Sequence, residues 1–504
     1  MSELRDVPYW EELSLPRQRK LDHDDSADAV VVGGGNTGLV TAYLLAAAGK
    51  SVAVLERAAC ARIDTGHTSA HLTMVTDHRL RKFVKILGRD HAQAVWDAGF
   101  AAIAQIERIV VEHEIDAGFD WVDGYLHLPI RPDDASHRAE LETEVALAQQ
   151  FGFDAEFVDA APLVNRPAAR FGSQARMHPR RYLAGLLRVL DQKGVRIYEH
   201  SEATKFVDTP RAVEANGFRI TCDDIVIATH TPLLGLSNMV SGTLAQTKLA
   251  LYTSYVVAGR VGKGAIPDAL WWDTSEPYYY LRIDPHREHD VVIFGGADHK
   301  TGQADDTEAC YRQVAERLGA YISGVEITHR WSGQVIDTPD GLPYIGETAP
   351  HQYAATGFVG NGLTFGTVAG LIIADAVMKV DNPWQDLFSP TRKALGRSTW
   401  NYLSENKDYP YYLIRDRLFG VEQRTVRSIK RGQGAIVERD GQKVAVSRDE
   451  QGRLLIRSPV CTHMGCLVRW NTAERTWDCP CHGSRFTPAG QVISGPAETE
   501  LGDA

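Results

Sequence analysis

The sequence predicts an α/β domain that carries an antiparallel sheet, followed by a small all-β domain. Three observations predict it. From Ala29 the chain reads Ala-Val-Val-Val, then Gly33-x-Gly35-x-x-Gly38, then a helix-forming stretch closed by Gly49, then Val52 to Leu55; strand, glycine turn, helix and second strand in that order make a parallel nucleotide-binding unit. Runs at 249–257, 278–283 and 291–294 are β-rich and suggest a second, antiparallel sheet. Beyond residue 421, runs at 435–438, 443–446 and 454–457 are separated by turns at Asp440-Gly441 and Gly452, the spacing of short antiparallel strands. The expected division is 1–385, a connector over 386–420, and 421–504.

In the first unit each residue type has a reason. Gly33 permits the tight turn, Gly35 lets the backbone approach a pyrophosphate, and Gly38 lets the helix pack on the strand. Asn36 and Thr37 open the helix, whose N–H groups and dipole favour phosphate. Glu56, ending the second strand, is placed to accept hydrogen bonds from a ribose, with Arg57 beside it. These residues are expected to hold a dinucleotide.

Three further segments, Asp64-Thr65-Gly66-His67-Thr68-Ser69-Ala70-His71, Arg330-Trp331-Ser332-Gly333 and Asp340-Gly341-Leu342-Pro343-Tyr344-Ile345-Gly346, resemble the flavoproteins related to D-amino-acid and glycine oxidases. The resemblance covers roughly residues 27–380 and implies a Rossmann-like fold with tightly held FAD. It places Thr65, Gly66, His67, Thr68 and Thr229 at the cofactor. It also places the turn that carries Gly360, Gly362, Leu363 and Thr364, ahead of a helix over 367–377, at the flavin pyrimidine ring. A helix N-terminus there stabilises the anion of a reduced flavin. His67 and His71, with Asp77 nearby, admit two other readings: a two-His-one-carboxylate iron site, or a covalent histidyl-flavin link. Thr, Gly and Ser in this segment do not make the regular helix that would put both imidazoles on one side, so a loop lining the flavin is expected.

Residues 79–115 and 139–151 have helical spacing, while 195–198, 218–221 and 225–228 read as strands. In the resembling family the antiparallel sheet covers the flavin and forms the substrate chamber. Tyr278, Tyr280 and Arg282 alternate along one strand, so they share a face. They are the candidate substrate-contacting residues, with Tyr279 packed behind. No pair of residues announces a general base by spacing.

Near the carboxyl end stand two boxes, Cys461-Thr-His463-Met-Gly-Cys466 and Cys479-Pro-Cys481-His482-Gly-Ser484. They offer six soft or borderline ligand groups where a zinc ion needs four; a zinc ribbon is the competing reading. The boxes resemble those of the Rieske family, which holds one iron of a [2Fe-2S] cluster by two thiolates and the other by two imidazoles. The resemblance implies Cys461 and Cys479 on one iron, His463 and His482 on the other, and a disulfide between Cys466 and Cys481. Ser484 matches the family hydroxyl that donates to the cluster. The family tyrosine two residues later is Phe486 here, which removes one hydrogen bond and implies a lower potential.

A net charge of −11 leaves no basic face for nucleic acid. The strongly apolar run at 368–377 is broken by Gly370 and Asp375 and is too short to cross a bilayer. The amino terminus has no apolar core of a secretory signal, so a cytoplasmic protein is expected. Together the two centres imply a dehydrogenase: a small amine or amino acid reduces the flavin, and the cluster passes single electrons to a one-electron acceptor protein or quinone. The alternative is an NAD(P)H-dependent reductase that serves an oxygenase. It would need a second nucleotide site, for which Gly360-x-Gly362-x-x-x-Gly366 is the candidate. A protein that merely holds the cofactors is a third reading.

Overall fold

The computed structural model describes residues 4–130, 135–231, 249–392, 425–439 and 441–504. The predicted connector, apart from 386–392, and the Asp440 turn position lie outside the described residues.

Apolar β-branched runs make the central sheet. Ala29–Val32 and Val52–Leu55 are buried at every position, as strands covered on both faces must be. They pair in parallel with each other, with Arg196–Tyr198 on one side and with Asp224–Ile227 then Gln352–Thr356 on the other. Tyr344–Ala349 closes that edge antiparallel. All the strand carboxyl ends of the parallel part therefore point one way, and the glycine loop after Val32 opens there.

Two helices run from this edge. Asn36–Ala47 follows the loop, and Gly362–Val377 lies against it. A Cβ on Gly366 would fall 2.6 Å from Thr37 Oγ1, and one on Gly370 3.0 Å from Val40 Cγ1, so these glycines let the helices touch. Gly366 is thus engaged in helix packing. The helix also begins five residues earlier than its apolar periodicity predicts, since Gly362, Thr364 and Gly366 interrupt the apolar pattern around Leu363 and Phe365.

The substrate-side sheet is larger than the sequence implied. Glu326–Asp337, Ala250–Gly262, His289–Lys300, Tyr280–Pro285, Ala269–Asp273, Asp120–His127, Ala168–Arg176 and His71–Leu72 are hydrogen-bonded in that order, with Ala155–Val158 beside Ala168–Arg176. The predicted 79–115 helix is two, Leu80–Leu87 and Arg89–Glu112, divided at Gly88 with φ +85°. An amino-terminal arm folds back over the sheet: Trp10 is fully buried and its indole N–H donates to Thr68 O at 2.7 Å.

The carboxyl-terminal domain is two small antiparallel sheets. Gly434–Arg439, Gln442–Arg448 and Leu454–Arg457 form one, and Arg469–Asn471, Thr476–Asp478, Arg485–Phe486 and Val492–Ser494 the other. Among the described residues no helix is long and apolar enough to cross a membrane.

Candidate functional site: a dinucleotide cavity joined to a cysteine-histidine centre

A cavity of about 1940 Å³ opens at the carboxyl ends of the parallel strands. Pockets for single small ligands run from about 300 to 1,000 Å³, so this one has room for a dinucleotide and a substrate together. Of the residues assigned to the dinucleotide, Gly38, Gly66 and Thr364 stand behind the wall and the others line it. The cradle is shaped for close backbone approach. Gly33 has φ +113°, and a Cβ there would lie 2.4 Å from Ala228 O. Thr65 Oγ1 accepts from Asn36 N at 3.2 Å, and Asn36 Nδ2 donates to Leu363 O at 3.1 Å, which ties the loop, the first helix and the second helix together. Asn36 Oδ1 and Thr364 Oγ1 are buried with no hydrogen-bond partner among the described residues. Asn36 lines the cavity, so its free oxygen offers an acceptor to a donor group of the cofactor, while the unpaired N–H groups at the helix N-terminus fit its phosphates.

Glu56 accepts from Gly34 N through one oxygen and from Ala58 N through the other, both at 2.8 Å. Burial raises its pKa above the ordinary carboxylate value while these two donors pull the other way. Glu56→Gln is expected to weaken FAD retention by about 1–3 kcal/mol, because an amide NH2 then faces a backbone N–H and one acceptor is lost. Flavin occupancy after dialysis measures this, and unchanged occupancy would remove Glu56 from the site. Arg57 also lines the cavity, yet its guanidinium donates to Ile493 O of the carboxyl-terminal domain at 2.8 Å.

The two histidines of the loop do not converge. His67 Nδ1 meets Ser332 O at 2.6 Å, whereas His71 Nε2 meets Leu281 O at 3.2 Å and its Nδ1 meets Ser69 Oγ at 3.1 Å. Burial lowers His71 to about 3, so it is a neutral wall residue. Asp77, the carboxylate of the iron reading, instead accepts from Tyr278 OH at 3.2 Å.

Tyr278 and Tyr280 stand on the cavity wall, and Tyr279 is packed, stacked on Phe294 at 5.8 Å. Arg282 does not face the cavity. It is fully buried and donates to Ala70 O at 2.6 Å and Met177 O at 2.9 Å. Alternation does put it on the face of Tyr280, but Ala70 and Met177 cross over the strand at that point. Sequence reasoning missed two partners in the chamber. Ser254 Oγ lies 2.9 Å from Tyr280 OH, and Asp298 belongs to the His289–Lys300 strand two residues from its end. Asp77 is exposed to the cavity, and enclosure by the cavity walls first, then Asp298, pushes it up to about 7, while burial pushes Asp298 up to about 6. No local spacing announces this pair, which sits 221 residues apart in the chain (298 − 77).

The cysteine-histidine boxes form two matching turns. Gly465 N donates to Cys461 O at 3.0 Å and Gly483 N to Cys479 O at 2.9 Å, and a Cys466–Cys481 disulfide ties them. The His463 and His482 rings lie 4.9 Å apart at 86°. Burial lowers His463 to about 4 and His482 to about 3, so both are neutral imidazoles suited to a metal. Both ring nitrogens of His463 are buried without a hydrogen-bond partner. The Cys461 and Cys479 thiols contact each other, and that contact pulls Cys461 down to about 7 while it raises Cys479. Two thiols and two neutral imidazoles on paired loops fit a mixed-ligand [2Fe-2S] cluster. Ser484 is fully buried, with its hydroxyl hydrogen-bonded to Cys461 and accepting from Ala497 N at 3.1 Å. Phe486 is fully buried in the apolar cluster that contains Cys461 and Cys479.

The second box is docked on the sheet that walls the cavity. Gln334 Nε2 donates to Gly483 O at 2.8 Å, and Gln303 Nε2 to Pro480 O at 3.0 Å. A Cβ on Gly302 would lie 2.8 Å from Pro480 N, and one on Gly483 2.6 Å from Leu251 Cβ. Tyr311 OH donates to Glu474 at 2.5 Å, and Ala473 N to Thr307 Oγ1 at 3.1 Å. Residues 493–495 and 497–499 add to the cavity wall. The residues that receive the box, Gln334, Gln303, Gly302, Thr307 and Tyr311, form no motif, so sequence offered no signal for the docking.

Comparison with known proteins matches this architecture. The family of FAD dependent oxidoreductases covers residues 28–376, and the Rieske [2Fe-2S] domain covers 421–503. The chain belongs to the FAD-dependent oxidoreductases and carries a carboxyl-terminal Rieske domain, so its cofactors are FAD and a [2Fe-2S] cluster. It is 32% identical to a putative Rieske 2Fe-2S iron-sulfur protein, YhfW, of Bacillus subtilis, over 97% of this chain and 96% of that one. It is 25% identical to the gamma-glutamylputrescine oxidoreductase of Escherichia coli, over 79% of this chain and 95% of that one. Glycine oxidase from Geobacillus kaustophilus shares the fold, with a TM-score of 0.60 at 16% identity over 73% of this chain and 99% of that one.

Proposed function

We propose that the chain oxidises the C–N bond of a small amine or amino acid in the FAD cavity and passes the electrons singly through the cluster to an external acceptor, a protein or a quinone. The observation that carries this reading is Gln334. It lines the cavity, and its amide holds the carbonyl of Gly483, the residue after the ligand His482. A cluster box fastened to the cavity wall suits transfer within one chain better than two independent activities. When bound, FAD takes two electrons with a hydride and releases them one at a time, while the cluster carries one. The chain's own residues supply the cradle at Gly33 and Gly35, the helix N-terminus at Gly362, the chamber at Tyr278 and Tyr280, and the docked thiolate and imidazole ligands. The amine class draws on the name of the Escherichia coli relative. No observation favours the NAD(P)H reading, because Gly366 of its candidate motif seats Thr37 of the neighbouring helix.

The test is anaerobic mixing with NADPH, hydroxy acids, amino acids and amines, read by flavin absorbance and then by the electron paramagnetic resonance of the cluster. An amine or amino acid is expected to bleach the flavin and bring up the cluster signal. Bleaching by NADPH, with none by amines or amino acids, would replace this reading with the reductase.

A further inference from the structure

Asp77 and Asp298 face the chamber, and among the described residues no lysine or arginine acts on either. Asp298 Oδ1 is buried and has no hydrogen-bond partner, and the acid's other polar contact is Ser254, itself joined to Tyr280. Asp77 is held by Tyr278 and lies against the turn at Gly360, where a Cβ would fall 3.1 Å from Asp77 Oδ2 and 3.6 Å from Tyr278 OH. Enclosure by the cavity walls, Asp298 and Tyr278 act on Asp77, and burial and Ser254 on Asp298. Withdrawing a carboxylate oxygen from water without a counter-charge, as at Asp298 Oδ1, is costly, so such a group either takes up a proton or waits for a cation, whereas Asp77 is exposed to the cavity and open to a ligand there. Tyr278 and Tyr280, 5.9 Å apart, add aromatic faces of the kind that attract ammonium groups.

We propose that Asp77 and Asp298 bind the ammonium of a substrate amine that carries no carboxylate beside its nitrogen, and that Asp77 accepts the proton this nitrogen must lose before the neighbouring C–H is oxidised. The inference rests on the amine reading above and narrows it. In the step, an N–H bond of the ammonium breaks and an O–H bond forms on Asp77, so ammonium and carboxylate become amine and carboxylic acid with no change in total charge. The nitrogen lone pair would then be free to assist loss of the C–H electron pair, for which bound FAD would supply the oxidant. A carboxylate on the substrate would be repelled by two acids at this position. The strand's own arginine, Arg282, is turned away to the carbonyls of Ala70 and Met177. Asp77 lies against the Gly360 turn, which precedes the helix N-terminus expected to face FAD, so an ammonium held by Asp77 would lie beside the expected cofactor site.

The probes are tert-butylamine, an ammonium at neutral pH with no hydrogen on the carbon beside nitrogen, and 2-methylpropan-2-ol, its neutral isostere. Both are titrated into the full-length holoprotein by calorimetry and flavin difference absorbance. The ammonium is expected to bind and the alcohol not. Asp77→Asn and Asp298→Asn should each weaken the ammonium by about tenfold or more, the scale of a charge-assisted hydrogen bond. With butylamine as reductant, Asp77→Asn should lower the limiting rate of anaerobic bleaching by about 100-fold, the scale of a lost general base. Asp298→Asn should chiefly raise the half-saturating concentration. Flavin content and the cluster signal establish that each variant is folded. Equal binding of the two probes, ammonium binding indifferent to both substitutions, or bleaching by amino acids with none by carboxylate-free amines would overturn the inference and leave the amine reading standing. Bleaching by neither class would bring down both.

Discussion

Cys479→Ser is expected to abolish the cluster's electron paramagnetic resonance signal and reduce turnover with a one-electron acceptor to background, while substrate still bleaches the flavin. Cys479 is almost fully buried and in contact with Cys461. A serine there replaces a soft thiolate ligand by a harder, weakly acidic hydroxyl in a site that already excludes water. The asymmetry between the two readouts is what the proposed order of events requires, with reduction by substrate in the cavity and the cluster beyond Gln334. Flavin content of the purified variant serves as the control on folding, since Cys479 also neighbours the disulfide, its sulfur within 4.8 Å of those of Cys466 and Cys481. Loss of substrate bleaching in a variant that retains FAD would mean that electrons enter elsewhere.

The reverse lesion is Gly38→Val. A Cβ at Gly38 would lie 1.9 Å from Gly33 O and 3.1 Å from Gly33 C, so any side chain forces the helix and the glycine loop apart. Overpacking of this kind costs about 1–3 kcal/mol or more in stability. The larger effect is on the cofactor, because the loop and the helix N–H groups must hold their relative position to receive a pyrophosphate. The variant should purify without FAD and without substrate bleaching, while a cluster reduced chemically keeps its signal. A flavin-replete Gly38→Val protein would show that the loop tolerates displacement and that the phosphates sit elsewhere.

These two lesions fall where the sequence was most legible, and the reason is local. The glycine fingerprint and the cysteine boxes each place their chemistry within six to ten residues, so spacing alone reports backbone geometry and donor type. Elements whose contacts are long-range were read less well. The arginine at 282 shares the face of Tyr280 by alternation, but its environment is set by Ala70 and Met177, more than a hundred residues away in sequence. The helix at 362–377 begins where two glycines and a threonine interrupt the apolar run, because its first turn is shaped by packing against Thr37.

By itself the sequence determined the two cofactor classes and pointed to the residues expected to hold them, since each motif depends on residue identity at fixed short spacing. Tertiary structure alone decided that the second box rests on the cavity wall through Gln334, with Gly302 packed beside Pro480, and that Asp77 and Asp298 share one chamber where no described lysine or arginine acts on them. Both depend on which side chains the nine-stranded sheet and the docked domain bring together. Burial then gives those side chains their chemistry, because a carboxyl group withdrawn from water behaves differently from the same residue in an exposed loop.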